Sequence, residues 1–183
     1  MRIIAGQYRG KRLKSPSGKL VRPTSDRTRE TLFNVLSPGI SDTCFLDLCA
    51  GTGAVGIEAL SRGASFVTFV DCSRKMCALI EENLDSCQVP EEMTRVIMSD
   101  ANSYLKRLNK EDPRLDLIFF DPPYDTDYSP TLRAIESGKY LAGDGVLIVE
   151  HYHKKALPDE VGSIRRWRMI KVGDACLSFY ETV

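Results

Sequence analysis

Residues 44–56 read Cys-Phe-Leu-Asp-Leu-Cys-Ala-Gly-Thr-Gly-Ala-Val-Gly, and this stretch carries the strongest structural signal in the chain. The apolar run at 44–48 is typical of a short buried strand, and a helical pattern begins at about residue 54. Between them, Gly51 and Gly53 permit a tight turn and let a ligand approach the backbone. With Gly56 they form the G-x-G-x-x-G spacing found where open α/β sheets bind ligands. The spacing favours a ligand-binding turn, and a tight turn without a ligand is the alternative.

Outward from this turn, strand and helix patterns alternate along the chain. Strands separated by helical stretches indicate a parallel sheet with helices on both faces. The last two strands are joined at Gly173-Asp174, a hairpin signal, so the sheet should end in an antiparallel edge. We therefore predict an α/β fold with a doubly wound, mostly parallel, seven-stranded sheet. The predicted strands are 44–48, 66–70, 94–98, 115–120, 146–150, 164–172 and 176–181, and the predicted helices after the glycine turn are 54–62, 73–87, 102–109 and 129–137.

The composition is that of one soluble globular domain. The chain has 183 residues, of which 43% are hydrophobic and 27% are charged, and this balance excludes a disordered, collagen-like or disulfide-stapled protein. Six cysteines form no C-x-x-C pair and only two histidines are present, so we expect no metal site. No apolar run reaches the roughly 18 residues of a membrane span, and the first residues do not resemble a signal peptide. We expect a cytoplasmic monomer without membrane contact.

Charge is distributed unevenly along the chain, although the net charge is zero. Residues 1–38 contain nine basic and two acidic side chains, and the rest of the chain carries the opposite excess. The first part predicts a short hairpin or extended arm closed at 15–18, followed by a helix with Ser25 or Asp26 as its N-cap. We therefore predict a basic N-terminal arm at 1–38 and a ligand-binding domain at 39–183. This arrangement indicates an anionic partner for the arm, and a solvated tail is the alternative.

Two ligand classes compete for the glycine turn. A dinucleotide would place its pyrophosphate on the helix N-terminus, whereas S-adenosylmethionine has no phosphate and carries a cationic sulfonium and an α-amino group. Asp47 lies four residues before Gly51, where a carboxylate would repel a pyrophosphate and attract an amine. This acid favours S-adenosylmethionine as the cofactor over NAD.

Acidic residues at the next strand ends complete the predicted cofactor site. Asp71 ends the second strand and would accept hydrogen bonds from both ribose hydroxyls. Asp100 follows the third strand, where it is either an acceptor for the adenine amino group or the N-cap of the next helix, and both interpretations stay open. The predicted cofactor-binding residues are Asp47, Gly51, Gly53, Asp71, Cys72, Asp100 and Ala101.

The fourth strand ends in Asp121-Pro122-Pro123-Tyr124, a combination that suits methyl transfer to the exocyclic amine of a planar base. Such an amine is a poor nucleophile because its lone pair is delocalised into the ring. Asp121 and the carbonyl of Pro122 would accept its two hydrogens, and the prolines would hold both acceptors in place. Tyr124 offers a flat face on which the base can stack. We predict these three residues to be catalytic, and a rigid strand terminator is the alternative.

Five blocks of sequence combine into a pattern more specific than any single motif. They are residues 2–6, 22–27, 45–53 and 58–64 together with the Asp-Pro-Pro-Tyr corner at 121–124. In this combination they resemble the RsmD family of bacterial 16S rRNA guanine-N2 methyltransferases. The resemblance implies a class I, Rossmann-like methyltransferase that uses S-adenosylmethionine, needs no metal and modifies a guanine of small-subunit rRNA.

The resemblance also implies a partner for the basic arm, namely the phosphates of 16S rRNA, in the small ribosomal subunit or in an assembly intermediate. Two other functions stay open: an adenine-N6 DNA methyltransferase, because the Asp-Pro-Pro-Tyr corner suits either amine, and a non-enzymatic RNA-binding module. A chain this short has little room for a DNA-recognition domain, which favours a folded RNA substrate. The predicted substrate-binding residues are Arg9, Lys11, Arg12, Arg22 and Arg27.

Overall fold

The computed structural model describes residues 1–16, 24–37, 39–109 and 114–183, and these residues build one eight-stranded sheet. Its strands are β1 (Cys44–Leu48), β2 (Phe66–Asp71), β3 (Thr94–Met98), β4 (Leu115–Phe120), β5 (Leu141–Tyr152), β6 (Glu160–Val161), β7 (Ile164–Val172) and β8 (Ala175–Thr182). Their order in the sheet is β3-β2-β1-β4-β5-β8-β7-β6. The first five strands run parallel, whereas β8 pairs antiparallel with both β5 and β7.

In the described residues, five α-helices pack on the two faces of the sheet. They are α1 (Asp26–Leu36), α2 (Ala54–Ser61), α3 (Arg74–Cys87), α4 (Ala101–Leu105) and α5 (Ser129–Gly138). Side chains of α1, α2 and α3, including Phe33, Ile57 and Ile80, share one hydrophobic core with one face of the sheet. Side chains of α4 and α5, including Leu105 and Leu132, pack in a second core on the other face. Because both faces are covered, the central strands are apolar almost throughout.

The predicted α/β architecture with a mostly parallel sheet and an antiparallel C-terminal hairpin is confirmed, and all seven predicted strands are present. The sheet contains one strand that the sequence did not predict, the two-residue β6, which pairs with β7. β5 begins at Leu141 rather than at 146, because Leu141 pairs with Leu115 across a register shift. The run Gly143-Asp144-Gly145 concealed this extension, since it is typical of a turn.

The strand order reverses between β1 and β4. From β1 the chain proceeds outward through β2 and β3 and then returns to β4 on the other side of β1. In open α/β sheets this reversal leaves a crevice beyond the carboxyl ends of the two strands. The glycine turn follows β1 and the Asp-Pro-Pro-Tyr corner follows β4, so the fold brings the two motifs to the same crevice.

Residues 1–16 form a hairpin-like arm that packs against the first core. Arg2 and Arg12 form an antiparallel bridge, and the chain reverses over residues 6–10, earlier than predicted; residues 17 and 18 of the predicted turn lie outside the described residues. Ile3 and Leu13 are buried in the core that also contains α1, α2 and α3. The division of the chain after residue 38 stays a prediction, and the two parts share this core.

A buried carboxylate on α2 holds the arm in place. Glu58 is fully buried, and its two oxygens accept the backbone N–H groups of Ile4 at 2.8 Å and Ala5 at 3.0 Å. The Nε of Arg62 donates to the same carboxylate at 2.7 Å. Buried backbone N–H groups need acceptors, and Glu58 supplies them for these two arm residues.

Arg29 on α1 connects the helix to the arm. It is fully buried, and its guanidinium donates to the carbonyl oxygens of Arg2 at 2.7 Å and Thr24 at 3.3 Å and to the carboxylate of Asp26 at 2.9 Å. Burial lowers the pKa of Arg29. Ser25 is the N-cap of the helix, which confirms one of the two N-cap residues that the sequence predicted. Arg29 therefore has a structural role and adds nothing to the basic surface of the arm.

The six cysteines are free thiols, and the described ranges contain no group of three or more His, Cys, Asp or Glu side chains arranged to bind a metal ion. Among the helices in those ranges, none is long and apolar enough to cross a membrane. The described fold rests on its two packed cores and its hydrogen bonds.

Glu58→Gln should lower the free energy of unfolding by about 3 kcal/mol, because two arm amides and Arg62 lose a buried, charged acceptor. The matched control is Glu82→Gln, which breaks an exposed ion pair of 2.9 Å to Lys14 and should cost about 0.5 kcal/mol or less. Urea unfolding followed by circular dichroism measures both values. Equal, small losses in the two variants would show that Glu58 does not anchor the arm.

Candidate active site

The turn after β1 adopts left-handed backbone conformations. The φ angle is +63° at Cys49, +56° at Gly51 and +75° at Gly53, values that glycine adopts readily and most other residues rarely. The N–H of Ala50 donates to the carbonyl of Val70 at 3.0 Å and ties the turn to β2. A Cβ on Gly51 would meet no atom within 4 Å, so this part of the backbone faces open space where a ligand can approach.

The third glycine of the spacing serves helix packing instead. A Cβ on Gly56 would lie 2.2 Å from the ring of Phe69 in β2, so only glycine lets α2 lie this close to the sheet. Because α2 lies close to the sheet, the N–H of Gly56 can donate to the carboxylate of Asp47, at 2.9 Å. Gly56 therefore positions α2 and, through it, the turn that precedes the helix.

Asp47 is a carboxylate at the floor of the crevice, 1% exposed. Burial raises the pKa of Asp47 to about 7, with smaller contributions from the negative charges of Asp121 and Asp71, while the hydrogen bond from Gly56 opposes the rise. A cation bound beside Asp47 would favour the ionised form. The arrangement therefore suits a ligand that carries an ammonium group.

Asp71 at the end of β2 organises the turn from the neighbouring strand. Its two oxygens accept the N–H groups of Gly51 and Ser73, each at 2.8 Å. Each carboxylate oxygen has a further lone pair for a ligand hydroxyl. Cys72, the next residue, is exposed. Contact of Asp71 with a ribose stays a prediction.

Asp100 caps α4, which confirms one of its two predicted roles. Its carboxylate accepts the N–H of Ser103 at 2.9 Å, and the hydrogen bonds from Ser103 lower the pKa of Asp100. Ala101 follows as the first residue of the helix. The contact with an adenine amino group stays a prediction, and it would use lone pairs that the cap does not occupy.

The two motifs open into one cavity of about 770 Å³ beyond the carboxyl ends of β1 and β4. A volume of this order accommodates a nucleoside-sized ligand. Gly53 is not part of the cavity wall; a Cβ there would lie 3.2 Å from Ile80. The predicted cofactor-binding and catalytic residues that line the cavity are Asp47, Gly51, Asp71, Cys72, Asp100, Ala101, Asp121, Pro122 and Tyr124.

Asp121 is held by the end of β1 and by the N-terminal part of the chain. Its N–H donates to the carbonyl of Leu48 at 3.2 Å, and its carboxylate accepts the hydroxyl of Thr24 at 3.1 Å. The surrounding protein displaces water from this carboxylate and raises the pKa of Asp121, while the hydrogen bond from Thr24 opposes the rise. Thr24 therefore fixes the orientation of Asp121 and favours its ionised form.

The loop that follows Asp121 is supported from behind. The carbonyl of Pro122 accepts the hydroxyl of Tyr128 at 3.4 Å, and the carbonyl of Tyr124 accepts the Nζ of Lys155 at 2.9 Å. The ring of Tyr124 lies 5.6 Å from that of Tyr152, with 30° between their planes. These contacts hold the backbone and the ring that the sequence predicted to be catalytic.

Four of the five predicted substrate-binding residues lie in the described ranges, away from the cavity. Arg9, Lys11, Arg12 and Arg27 are all exposed, and none of them lines the cavity. Arg22 lies outside the described residues. The exposed cations are available to a large anionic partner, whereas Tyr8 from the same arm is buried in the first core and braces it.

Sequence reasoning missed three residues at this site: Thr24, Glu150 and Lys155. Thr24 belongs to the block at 22–27 that carries the family resemblance. The sequence therefore marked the residue but did not predict its contact with Asp121. Glu150 ends the apolar part of β5, is 5% exposed and lines the cavity. No sequence pattern predicted the role of Lys155, because its contacts reach back about 30 residues to the 124–126 backbone.

The sheet is doubly wound, and the cavity lies where the strand order reverses between β1 and β4. The glycine turn forms one wall and the Asp-Pro-Pro-Tyr corner forms the other. These features define a class I, Rossmann-like methyltransferase fold. Residues 1–181 match the family described as Conserved hypothetical protein 95, and the chain belongs to that family.

Relatives and solved structures agree with this assignment. The chain is 38% identical over 159 residues to "Ribosomal RNA small subunit methyltransferase D" of Escherichia coli, covering 86% of this chain and 78% of that protein. It is 40% identical over 158 residues to the protein of the same name from Haemophilus influenzae, covering 86% and 81%. The solved structure of yhhF from Escherichia coli gives a TM-score of 0.86 at 34% identity and covers 100% of this chain and 97% of that chain. The resemblance to the RsmD family is confirmed.

Thr24→Val should raise the pKa of Asp121 further, by about one pH unit, because the ionised carboxylate loses a hydrogen-bond donor. Titration of the aspartate carboxyl carbons by ¹³C NMR measures the change. Thr24→Ser keeps the hydroxyl and should titrate like the wild type. If the valine and serine variants titrate alike, the hydroxyl does not tune Asp121.

Proposed function

We propose that this protein transfers a methyl group from S-adenosylmethionine to the exocyclic N2 amine of a guanine in 16S rRNA. The observation that carries the proposal is the single cavity that joins Asp47 and the glycine turn to Asp121, Pro122 and Tyr124. The names of the Escherichia coli and Haemophilus influenzae relatives support small-subunit rRNA as the substrate. We further propose that the enzyme acts as a cytoplasmic monomer on the small subunit or on an assembly intermediate.

The carboxylates that line the cavity are suitable hydrogen-bond acceptors for S-adenosylmethionine. Asp47 would pair with the α-amino group, and Asp71 would accept the ribose hydroxyls with the lone pairs that Gly51 and Ser73 do not use. The carboxylate of Asp100 would receive the adenine amino group, and Cys72 and Ala101 would line the same wall. When bound, S-adenosylmethionine supplies a methyl group on a positively charged sulfur, which is already an activated leaving group.

Asp121 and Pro122 would act on the target amine. Asp121 would accept one of its hydrogens and the carbonyl of Pro122 the other, which draws the nitrogen toward a tetrahedral geometry and frees its lone pair. The carbonyl of Pro122 already accepts the hydroxyl of Tyr128, and its second lone pair remains for the amine. Because its pKa is raised, the carboxylate of Asp121 is also suited to take the proton that the nitrogen releases.

Tyr124 would stack on the guanine after it leaves the RNA stack. Its ring is fixed against Tyr152 and its backbone is fixed by Lys155, so little side-chain entropy is lost when a base binds. Base–aromatic stacking of this kind contributes roughly 1–3 kcal/mol.

The proposal is tested by incubating the protein with methyl-labelled S-adenosylmethionine and 16S rRNA, small subunits or DNA, followed by mapping of the labelled base. We expect N2-methylguanine in rRNA or in subunits. Label on adenine N6 in DNA would support the alternative methyltransferase, and cofactor-independent RNA binding without any label would support the RNA-binding module.

Asp121→Ala should slow methyl transfer at least 10²-fold, corresponding to about 3 kcal/mol for a lost preorganised acceptor. Affinity for S-adenosylmethionine should change little, because Asp121 acts on the amine rather than on the cofactor. Single-turnover methylation and isothermal titration calorimetry measure the two effects separately. Asp125→Ala, an exposed acid four residues along the chain, is the matched control. Wild-type activity in Asp121→Ala would show that the Asp-Pro-Pro-Tyr corner only terminates β4.

Neutralising Arg9, Lys11 and Arg12 together should weaken rRNA binding and flatten its dependence on salt, with the slope reduced by roughly 0.7–0.9 for each lost phosphate contact. The affinity for S-adenosylmethionine should not change, since none of the three lines the cavity. Neutralising the exposed Lys106, Lys139 and Lys171 removes the same charge outside the arm. An equal change of slope in both triple variants would mean that net charge, and not the arm, drives binding.

A further inference from the structure

We infer that Lys155 is a positioning residue that holds the loop at residues 121–128 in the geometry needed for methyl transfer. The inference rests on the proposed function, because it takes Asp121, Pro122 and Tyr124 as the groups that contact the target base. Lys155 does not line the cavity, so it would act through the loop rather than on the substrate.

One ammonium group contacts the loop at three points. The Nζ of Lys155 donates to the carbonyl oxygens of Tyr124, at 2.9 Å, and Thr126, and it lies 3.8 Å from the centre of the Tyr128 ring. Only a group with several donors and a positive charge can serve two carbonyls and an aromatic face together. Lys155 itself is anchored, since its N–H donates to the carbonyl of Tyr152 at 2.8 Å.

The contacts of Tyr128 extend this support to the proposed acceptor. Its hydroxyl donates to the carbonyl of Pro122 at 3.4 Å, and its ring meets that of Phe120 edge-on at 5.6 Å. Lys155 on one face of the Tyr128 ring therefore helps to set the position of a hydroxyl that orients Pro122. The lysine reaches Tyr124 directly and Pro122 through Tyr128.

Two prolines limit the backbone hydrogen bonds that the loop can make by itself. Pro122 and Pro123 have no N–H to donate, and the loop follows the end of β4, where the sheet ladder stops. The bond from the Thr126 N–H to the Pro123 carbonyl, at 3.0 Å, closes a local turn. A displacement of about 1 Å in a group that aligns the reacting atoms can cost 10²-fold in rate.

The test compares Lys155→Met, Lys155→Arg and the control Lys154→Met in single-turnover methylation at saturating RNA and cofactor. Methionine keeps much of the side-chain length and loses the charge and donors, so Lys155→Met should reduce the rate at least 10-fold. Arginine restores a charged donor group and should bring the rate to within about 5-fold of the wild type. Lys154 is exposed, and its variant should stay within 2-fold.

Binding measurements separate positioning from other roles. Affinity for S-adenosylmethionine should stay within 2-fold in Lys155→Met, since the residue does not touch the cofactor in the proposed site. A wild-type rate in Lys155→Met, or a loss of RNA affinity with a normal rate at saturation, would overturn the inference. The second result would make Lys155 a phosphate contact.

A second variant decides the matter if Lys155→Met does not fold. Tyr128→Phe keeps the ring under the lysine and removes the hydroxyl that reaches Pro122, and it should reduce the single-turnover rate at unchanged cofactor affinity. A wild-type rate in this variant would overturn the inference that Lys155 positions Pro122 through Tyr128. If the wild type labels a base other than guanine, the proposed substrate is wrong, and the ratio of variant to wild-type rates on that base still tests Lys155.

Discussion

The position of α2 against the sheet depends on Gly56, because any side chain there would overlap the ring of Phe69. With the helix this close, the Gly56 amide reaches the buried carboxylate of Asp47 and fixes the glycine turn between them. The same helix presents Glu58 to the amides of the N-terminal arm. A helix of eight residues therefore determines the position of both the cofactor wall of the cavity and the arm.

From the arm, hydrogen bonds lead to the corner on the opposite wall. Arg29 joins the carbonyls of Arg2 and Thr24, and the hydroxyl of Thr24 contacts Asp121. Hydrogen bonds thus connect the segment proposed to bind rRNA with the carboxylate proposed to act on the base. Lys155 supports the same corner from the other side, through the backbone of Tyr124.

Two carboxyl groups of the cavity, those of Asp47 and Asp121, are largely shielded from water. Asp47 and Asp121 both have raised pKa values, chiefly because the protein displaces water from them. A carboxyl group whose pKa is higher in the folded than in the unfolded state destabilises the fold as pH rises above the unfolded value, and the full cost is reached above the folded pKa. A bound cation offsets that cost at Asp47. A positively charged cofactor held beside Asp47, as proposed, would therefore stabilise the fold.

The sequence by itself determined the alternation of strands and helices, the glycine turn, the Asp-Pro-Pro-Tyr corner and the cavity residues from Asp47 to Tyr124 that lie at or just after strand ends. These features are local: periodicity, turn glycines and strand-end acids act over a few residues, and the rules of parallel sheets then bring the carboxyl ends together. Only the tertiary structure decided that Gly56 packs against Phe69, that Arg29 is buried rather than part of a basic surface, and that Thr24 and Lys155 hold the corner. Thr24 and Asp121 are 97 positions apart in the chain. A contact over that separation is selected by the packing of the arm and α1 on the sheet, and no local pattern of residues encodes it.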